Sequence, residues 1–206
     1  MGSGAQNQEN SEKIDVIIHA AQKVFGEYGF EKASMNDIAR ELNFSKASLY
    51  YYFQDKESLF RSVIQKEQDE FLRLLTEVTD KQIPASEQLK EYINIRHNYF
   101  KVFLNLSKLR LHEPASSRSF LHPIISELKE KEALLVEQIF NRGIELKEFG
   151  NIHPAEITEL FIDIIRGLRL TLLKKYDITD ISADPEKELM NKLYTFTEIF
   201  IKGIKS

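Results

Sequence analysis

Residues 45–52, SKASLYYY, gather side chains that suit contact with an anionic, stacked surface. Lys46 supplies a positive charge, Ser45 and Ser48 supply hydroxyls, and Tyr50, Tyr51 and Tyr52 add three phenols in a row. Tyrosine hydroxyls suit phosphate oxygens, and their rings suit thymine methyls or sugars. Three consecutive tyrosines at the end of a short helix are poor core material. Catalytic arrangements fare worse. The histidines at 19, 97, 112, 122 and 153 form no i, i+4 ligand pair, and His112-Glu113 lacks the second histidine of a zincin. Ser116, Ser117 and Ser119 have no glycine flanks, so no nucleophile elbow is written there. Asp163 and Arg166, three apart, read as an ion pair rather than an acid–base couple. The absence of cysteine excludes disulfides, thiolate catalysis and cysteine-ligated metal. The expectation is a non-enzyme with no cofactor and no metal.

Those residues need helices to present them, and the sequence supplies helical period almost throughout. Ile14, Ile17, Ile18, Ala21, Phe25 and Tyr28 make one apolar stripe, ending where Gly29 can take a left-handed cap and Phe30 can fold back. Ser34 to Asp37 has the form of a capping box, with Ile38, Ala39 and Leu42 as the inner side of a short helix. Ser45 caps a second short helix, with Phe44 and Leu49 as its staple. Asp55 caps a long one reaching about residue 79, its inner side formed by Leu59, Phe60, Val63, Phe71, Leu74, Leu75 and Val78. Leu42, Asn43 and Phe44 form the turn between the two short helices, which is helix-turn-helix spacing. Leu49 and Phe53 then face Ile38 and Leu42, leaving Lys46, Ala47, Ser48, Tyr50 and Tyr51 outward. Further helices are predicted at 84–105, 123–148, 154–176 and 185–204, with a short one at 106–112. Pro84, Pro154 and Pro185 each precede a helical pattern. No strand pattern is long enough to defend, so the fold is all-α.

Composition narrows the class further. The 206 residues are 42% hydrophobic and 29% charged, which supports a folded core, and the few glycines (8) and prolines (5) disfavour turn-dense β architectures. No run of ~18 uncharged apolar residues exists to span a membrane. No basic segment followed by an apolar run opens the chain, so the expected location is cytoplasmic. Residues 1–10 read as a disordered lead, 11–56 as a helix-turn-helix domain and 57–206 as a larger helical domain. A net charge of −4 argues against broad basic contact with nucleic acid.

The stretch GFEKASMNDIARELNFSKASLYYYFQDKESLF resembles the signature of the TetR (tetracycline-repressor-like) family over about residues 12 to 61. The likeness lies in a glycine-aromatic helix end, a capped helix with Ile-Ala, a turn, Ser-x-x-x-Leu-Tyr-x-x-Phe, and a Lys-x-x-Leu step. Asn43 stands where glycine is usual in the turn, and asparagine tolerates the left-handed region. Ala47 stands where glycine is common at the groove-facing start of the recognition helix. The resemblance implies Ser34 on phosphate, Lys46, Ser48 and Tyr50 toward base edges, and Tyr51 and Tyr52 toward the backbone. It implies Lys56 on a phosphate from the next helix, with Asn36, Ser45 and Ala47 completing the DNA-binding set. Residues 30 to 61 hold five basic and five acidic side chains, so a modest salt dependence is expected.

The same resemblance implies a homodimer on a palindromic operator of double-stranded DNA, most often a repressor, released by a small apolar or amphipathic effector. Residues 155–175 are apolar nearly all round, and a terminal helix carries Leu189, Leu193, Phe196, Ile199 and Phe200. The expected dimer interface is Phe161, Ile164, Ile165, Gly167, Leu168, Leu172, Leu193, Phe196 and Phe200; burial of this helix within one protomer is the alternative. Tyr92, Ile93, Arg96, His97, Phe100 and Phe103 share one side of a helix, where a cation and an imidazole interrupt an apolar stripe. With Phe71, Leu74 and Phe161 as further walls, Tyr92, Arg96, His97, Phe100 and Phe103 form the expected effector site. Two other readings stay open here: the same fold controlled by a protein partner, and an all-α carrier or enzyme with a vestigial helix-turn-helix.

Overall fold

Three short polar side chains set the N-terminal elements. Ser34 Oγ accepts from the Asp37 amide at 3.2 Å while the Ser34 amide donates to Asp37 Oδ2 at 3.0 Å, a complete capping box. Ser45 Oγ accepts from the Ser48 amide at 3.0 Å, and Asp55 Oδ1 accepts from the Ser58 amide at 2.6 Å. A computed structural model describes residues 3–107, 119–175 and 185–206. Its helices are α1 (Ser3–Lys32), α2 (Met35–Glu41), α3 (Lys46–Tyr52), α4 (Lys56–Asp80), α5 (Ala85–Ser107), α6 (His122–Glu145), α7 (Pro154–Lys175) and α8 (Pro185–Ile204). Among the described residues the only β feature is one isolated bridge between Phe149 and Lys205. The chain is all-α.

The sequence bounds hold within a few residues except at the start. The helix begins at Ser3, where a disordered lead had been expected; the residues are polar but helix-tolerant, and Lys13 reaches back one turn to Glu9 at 2.7 Å. The short helix expected at 106–112 falls mostly outside the described residues, and α5 itself runs on to Ser107.

The chain forms two compact units, one of residues 1–70 and 99–125, the other of 71–98 and 126–206. The boundary therefore differs from the one expected at residue 56. The first half of α4 belongs with the N-terminal helices because Leu59, Phe60, Val63 and Ile64 are buried in their core, with Ile17, Ala21, Phe25, Ile38 and Leu49. Phe30 packs 4.8 Å from the Phe60 ring and 5.4 Å from that of Phe120. The bend that turns Phe30 inward is at Gly29, whose φ of 76° and ψ of 165° is extended rather than left-handed helical, and only glycine adopts it readily.

The second unit is organised around Phe161 of α7. Its ring lies 5.8 Å from Phe140 on α6 and 5.7 and 4.8 Å from Phe196 and Phe200 on α8. This corrects the expected dimer face. Phe161, Ile165 and Leu193 are fully buried within one protomer, so they cannot form an outer surface. Phe196 and Phe200 are half-buried against Phe161, Ile164 and Leu168 are half-buried, and Gly167 is exposed. The Leu172 side chain lies outside the described residues. The packing leaves Leu160 51%, Leu170 52% and Ile199 64% exposed.

Candidate nucleic-acid interface

α2 and α3 are too short to be stable alone, and their order comes from caps and core contacts. Ile38 and Ala39 bury the inner side of α2, and Leu49 buries that of α3. The turn closes through the Phe44 amide to the Ala39 carbonyl at 2.8 Å. It requires a positive φ at Asn43, 54°, which asparagine supplies in place of glycine.

With Leu49 turned inward, the rest of α3 stands in solvent. Lys46, Ala47, Ser48 and Tyr50 are exposed, and Tyr51 is 79% exposed. Lys46 Nζ lies 5.6 Å from the Tyr50 ring centroid, one turn on, which steadies both side chains. Ser45 and Ser48 hydroxyls lie 2.7 Å apart, and Tyr52, half-buried, meets Tyr51 edge-on at 5.0 Å. Ser34 and Asn36 are exposed at the start of α2. Nearby cations are matched by acids: Lys23 pairs with Glu41 at 2.6 Å and Arg40 with Asp37 at 3.7 Å. The Ser34 contacts hold the Asp37 carboxyl below its ordinary value, and the Ser58 amide does the same for Asp55.

Lys56 is a correction. Its ammonium donates to the carbonyls of Phe30, Ala33 and Glu31 at 2.7, 3.1 and 3.3 Å and sits 4.4 Å over the Phe30 ring. Three donors meet three acceptors, so the side chain closes the C-terminal end of α1 rather than standing free for a phosphate.

The expected effector residues divide between the units. Phe100 and Phe103 fall in the first, where Phe103 packs against the N-terminal core. Phe71, Leu74, Tyr92, Arg96, His97 and Phe161 fall in the second. There Arg96 Cζ lies 5.5 Å from the Phe71 ring and Tyr92 lies 6.1 Å from Phe161, while buried His97 faces Glu186 at 3.4 Å. Sequence reasoning missed the residue that joins them. Glu132 of α6 is fully buried, accepts from Tyr92 Oη at 2.7 Å, and pairs with Arg96 at 2.6 Å and Arg166 at 3.4 Å. Burial, followed by the Glu132 charge, drives the Tyr92 phenol well above its ordinary value. The available signal was the four-residue step Leu128, Glu132, Val136, which puts this acid on the apolar stripe of α6.

A capped helix-turn-helix that exposes lysine, serine and tyrosine from its second helix defines a DNA-binding regulator. The comparisons specify which kind. A profile of bacterial regulatory proteins of the tetR family matches residues 17–63. The crystal structure of a transcriptional regulator from Cytophaga hutchinsonii superimposes with a TM-score of 0.86 at 36% identity, covering 94% of this chain and 99% of that one. The chain belongs to the tetR family of transcriptional regulators. The negative regulator of the icaADBC biofilm operon, IcaR of Staphylococcus epidermidis, is 23% identical over 198 residues, 91% of this chain and 98% of that protein. FadR from Bacillus subtilis, solved in complex with stearoyl-CoA, shares the fold with a TM-score of 0.66 at 21% identity, over 91% of this chain and 97% of that one. These relatives are named as regulators, not as enzymes. Among the described residues, no helix is long and apolar enough to cross a membrane.

Proposed function

We propose that this regulator is a cytoplasmic repressor that binds a palindromic operator as a homodimer and leaves it when a small apolar or amphipathic molecule occupies its second unit. The outward face of α3 carries the reading: Lys46, Ser48 and Tyr50 address base edges, with Ala47 beside them. Tyr51, Tyr52, Ser34, Asn36 and Ser45 hold the duplex backbone. One seven-residue helix with a single lysine reads few bases, so two copies are needed, on half-sites about 34–36 Å apart. Exposed Leu160, Leu170 and Ile199, with Ile164, Gly167 and Leu168 beside them, support pairing through α7 and α8. Repression is supported by the printed role of IcaR, and an amphipathic effector by the stearoyl-CoA bound to FadR.

The effector is read by Phe71, Leu74, Tyr92, Arg96, His97 and Phe161. α4 is one continuous helix from Lys56 to Asp80, so a ligand that displaces its second half shifts its first half and the spacing of the paired α3 helices. The test is selection from a random duplex library with the purified chain at stated salt. A two-fold symmetric motif is expected, and Tyr50→Ala or Lys46→Ala should change its sequence preference with the fold intact. A folded, dimeric protein that enriches no sequence would sink the operator reading.

A further inference from the structure

Most cations of the N-terminal helices have a partner. Lys13 pairs with Glu9 at 2.7 Å, Lys23 with Glu41 at 2.6 Å, Arg40 with Asp37 at 3.7 Å and Lys66 with Asp15 at 3.6 Å. Arg61 lies 6.0 Å over the Phe120 ring, and the Lys56 ammonium is closed by three carbonyls. Lys32 and Lys46 are left. Both are exposed, and among the described residues neither meets an acid.

Lys46 projects from α3, held near the Tyr50 ring. Lys32 stands at the junction of α1 and α2: it is the last residue of α1, and Ser34, two residues on, caps α2. The carbonyls of Glu31 and Ala33, on either side of it, are two of the three that Lys56 holds, at 3.3 and 3.1 Å. The two lysines therefore share one corner of the unit. A cation in the last turn of a helix ordinarily serves the helix's free carbonyls. Here Lys56 serves them, which leaves the Lys32 ammonium to solvent. Of the acids close in sequence, Asp37 is engaged by Ser34 and Arg40, and Glu31 makes no ion pair with Lys32.

We propose that Lys32 binds a backbone phosphate of the operator, beside the Ser34 contact, and supplies there the charge that Lys56 withholds. A lysine ammonium recognises phosphate as a point charge and carries no sequence information in doing so. Lys32 thus adds affinity and fixes position on the duplex, while Lys46 addresses the bases. The proposal rests on reading α2 and α3 as the duplex-binding surface, and it adds to that surface a residue of α1.

The experiment is a salt titration of duplex binding, followed by fluorescence anisotropy, on the operator selected from the library and on a duplex of scrambled sequence. Each phosphate contact contributes about 0.9 to the slope of log affinity against log salt, so Lys32→Ala should lower the slope by about 1.8 when two protomers are bound. The affinity lost between about 50 and 200 mM salt then becomes about twelvefold smaller than for the native chain. Sequence preference and melting temperature should not move, because the side chain is exposed and touches no base. Lys32→Gln carries the same expectation if the alanine variant does not fold, and Lys32→Arg should keep the native slope. Lys46→Ala is the contrast, since it should change the sequence preferred. An unchanged slope in Lys32→Ala overturns the proposal; so does a lower slope with altered preference, which would make Lys32 a base contact. If the native chain enriches no operator yet binds the scrambled duplex, the operator reading fails while the slope on that duplex still tests Lys32. No binding to either duplex overturns both.

Discussion

Lys56 offers a direct test of whether this part of the fold has been read correctly. Replacing it with methionine keeps most of the aliphatic stem and deletes the ammonium. Two of its contacts, to the carbonyls of Phe30 at 2.7 Å and Ala33 at 3.1 Å, are part-buried; the third, to Glu31 at 3.3 Å, is exposed and contributes little. Two part-buried bonds at about 1 kcal/mol each, with about 0.5–1 for the cation over the Phe30 ring, give a loss of roughly 2–3 kcal/mol. Urea unfolding measures it, at fixed protein concentration because the proposed pairing would make stability depend on concentration. Lys56→Arg should recover only part, since a planar fork cannot aim three hydrogens from one nitrogen at three carbonyls. Salt titration of operator binding supplies the second readout: a structural lysine leaves the slope of log affinity against log salt unchanged. An unaltered urea midpoint with a shallower salt slope would restore Lys56 as a phosphate contact and refute its assignment to the end of α1.

Further outcomes follow from single features. A Cβ on Gly143 would stand 2.1 Å from the nearest atom of the Phe149 ring, so Gly143→Ala should lower the melting temperature by the equivalent of about 1–3 kcal/mol. Phe149→Leu in the same chain should lessen that loss, and additive losses would place the clash elsewhere. Asp37 and Asp55 both have carboxyls held below the ordinary 3.8, by Ser34 and Ser58. A depressed folded value contributes stability above the unfolded value and loses it as pH falls through the folded one. Stability should therefore drop on acidification below about pH 4, and Asp37→Asn with Asp55→Asn should flatten that part of the curve. An acid limb unchanged by both substitutions would show that these caps do not set it.

The sequence by itself determined the class of fold and which side of α3 faces outward. Caps are local: Ser34 with Asp37, Ser45 with Ser48 and Asp55 with Ser58 each act within four residues, so spacing alone locates the ends of α2, α3 and α4. Short amphipathic helices also carry their own phase, and the one inward position Leu49 was enough to turn Lys46, Ser48, Tyr50 and Tyr51 outward. What remained hidden depends on contacts distant in sequence. α7 carries apolar residues over most of its circumference, and the packing of Phe140, Phe196 and Phe200 against Phe161 decided which of them lie inward, leaving Leu160 outward. Lys56 looked like a surface cation until the end of α1, some 25 residues earlier, brought three carbonyls to it. Glu132, in a charge-rich stretch, became the centre of a buried network because Arg96 and Arg166 approach it from two other helices. Local hydrogen bonding and periodicity can be read from neighbouring residues; the partner of a buried charge can be known only once the chain has folded.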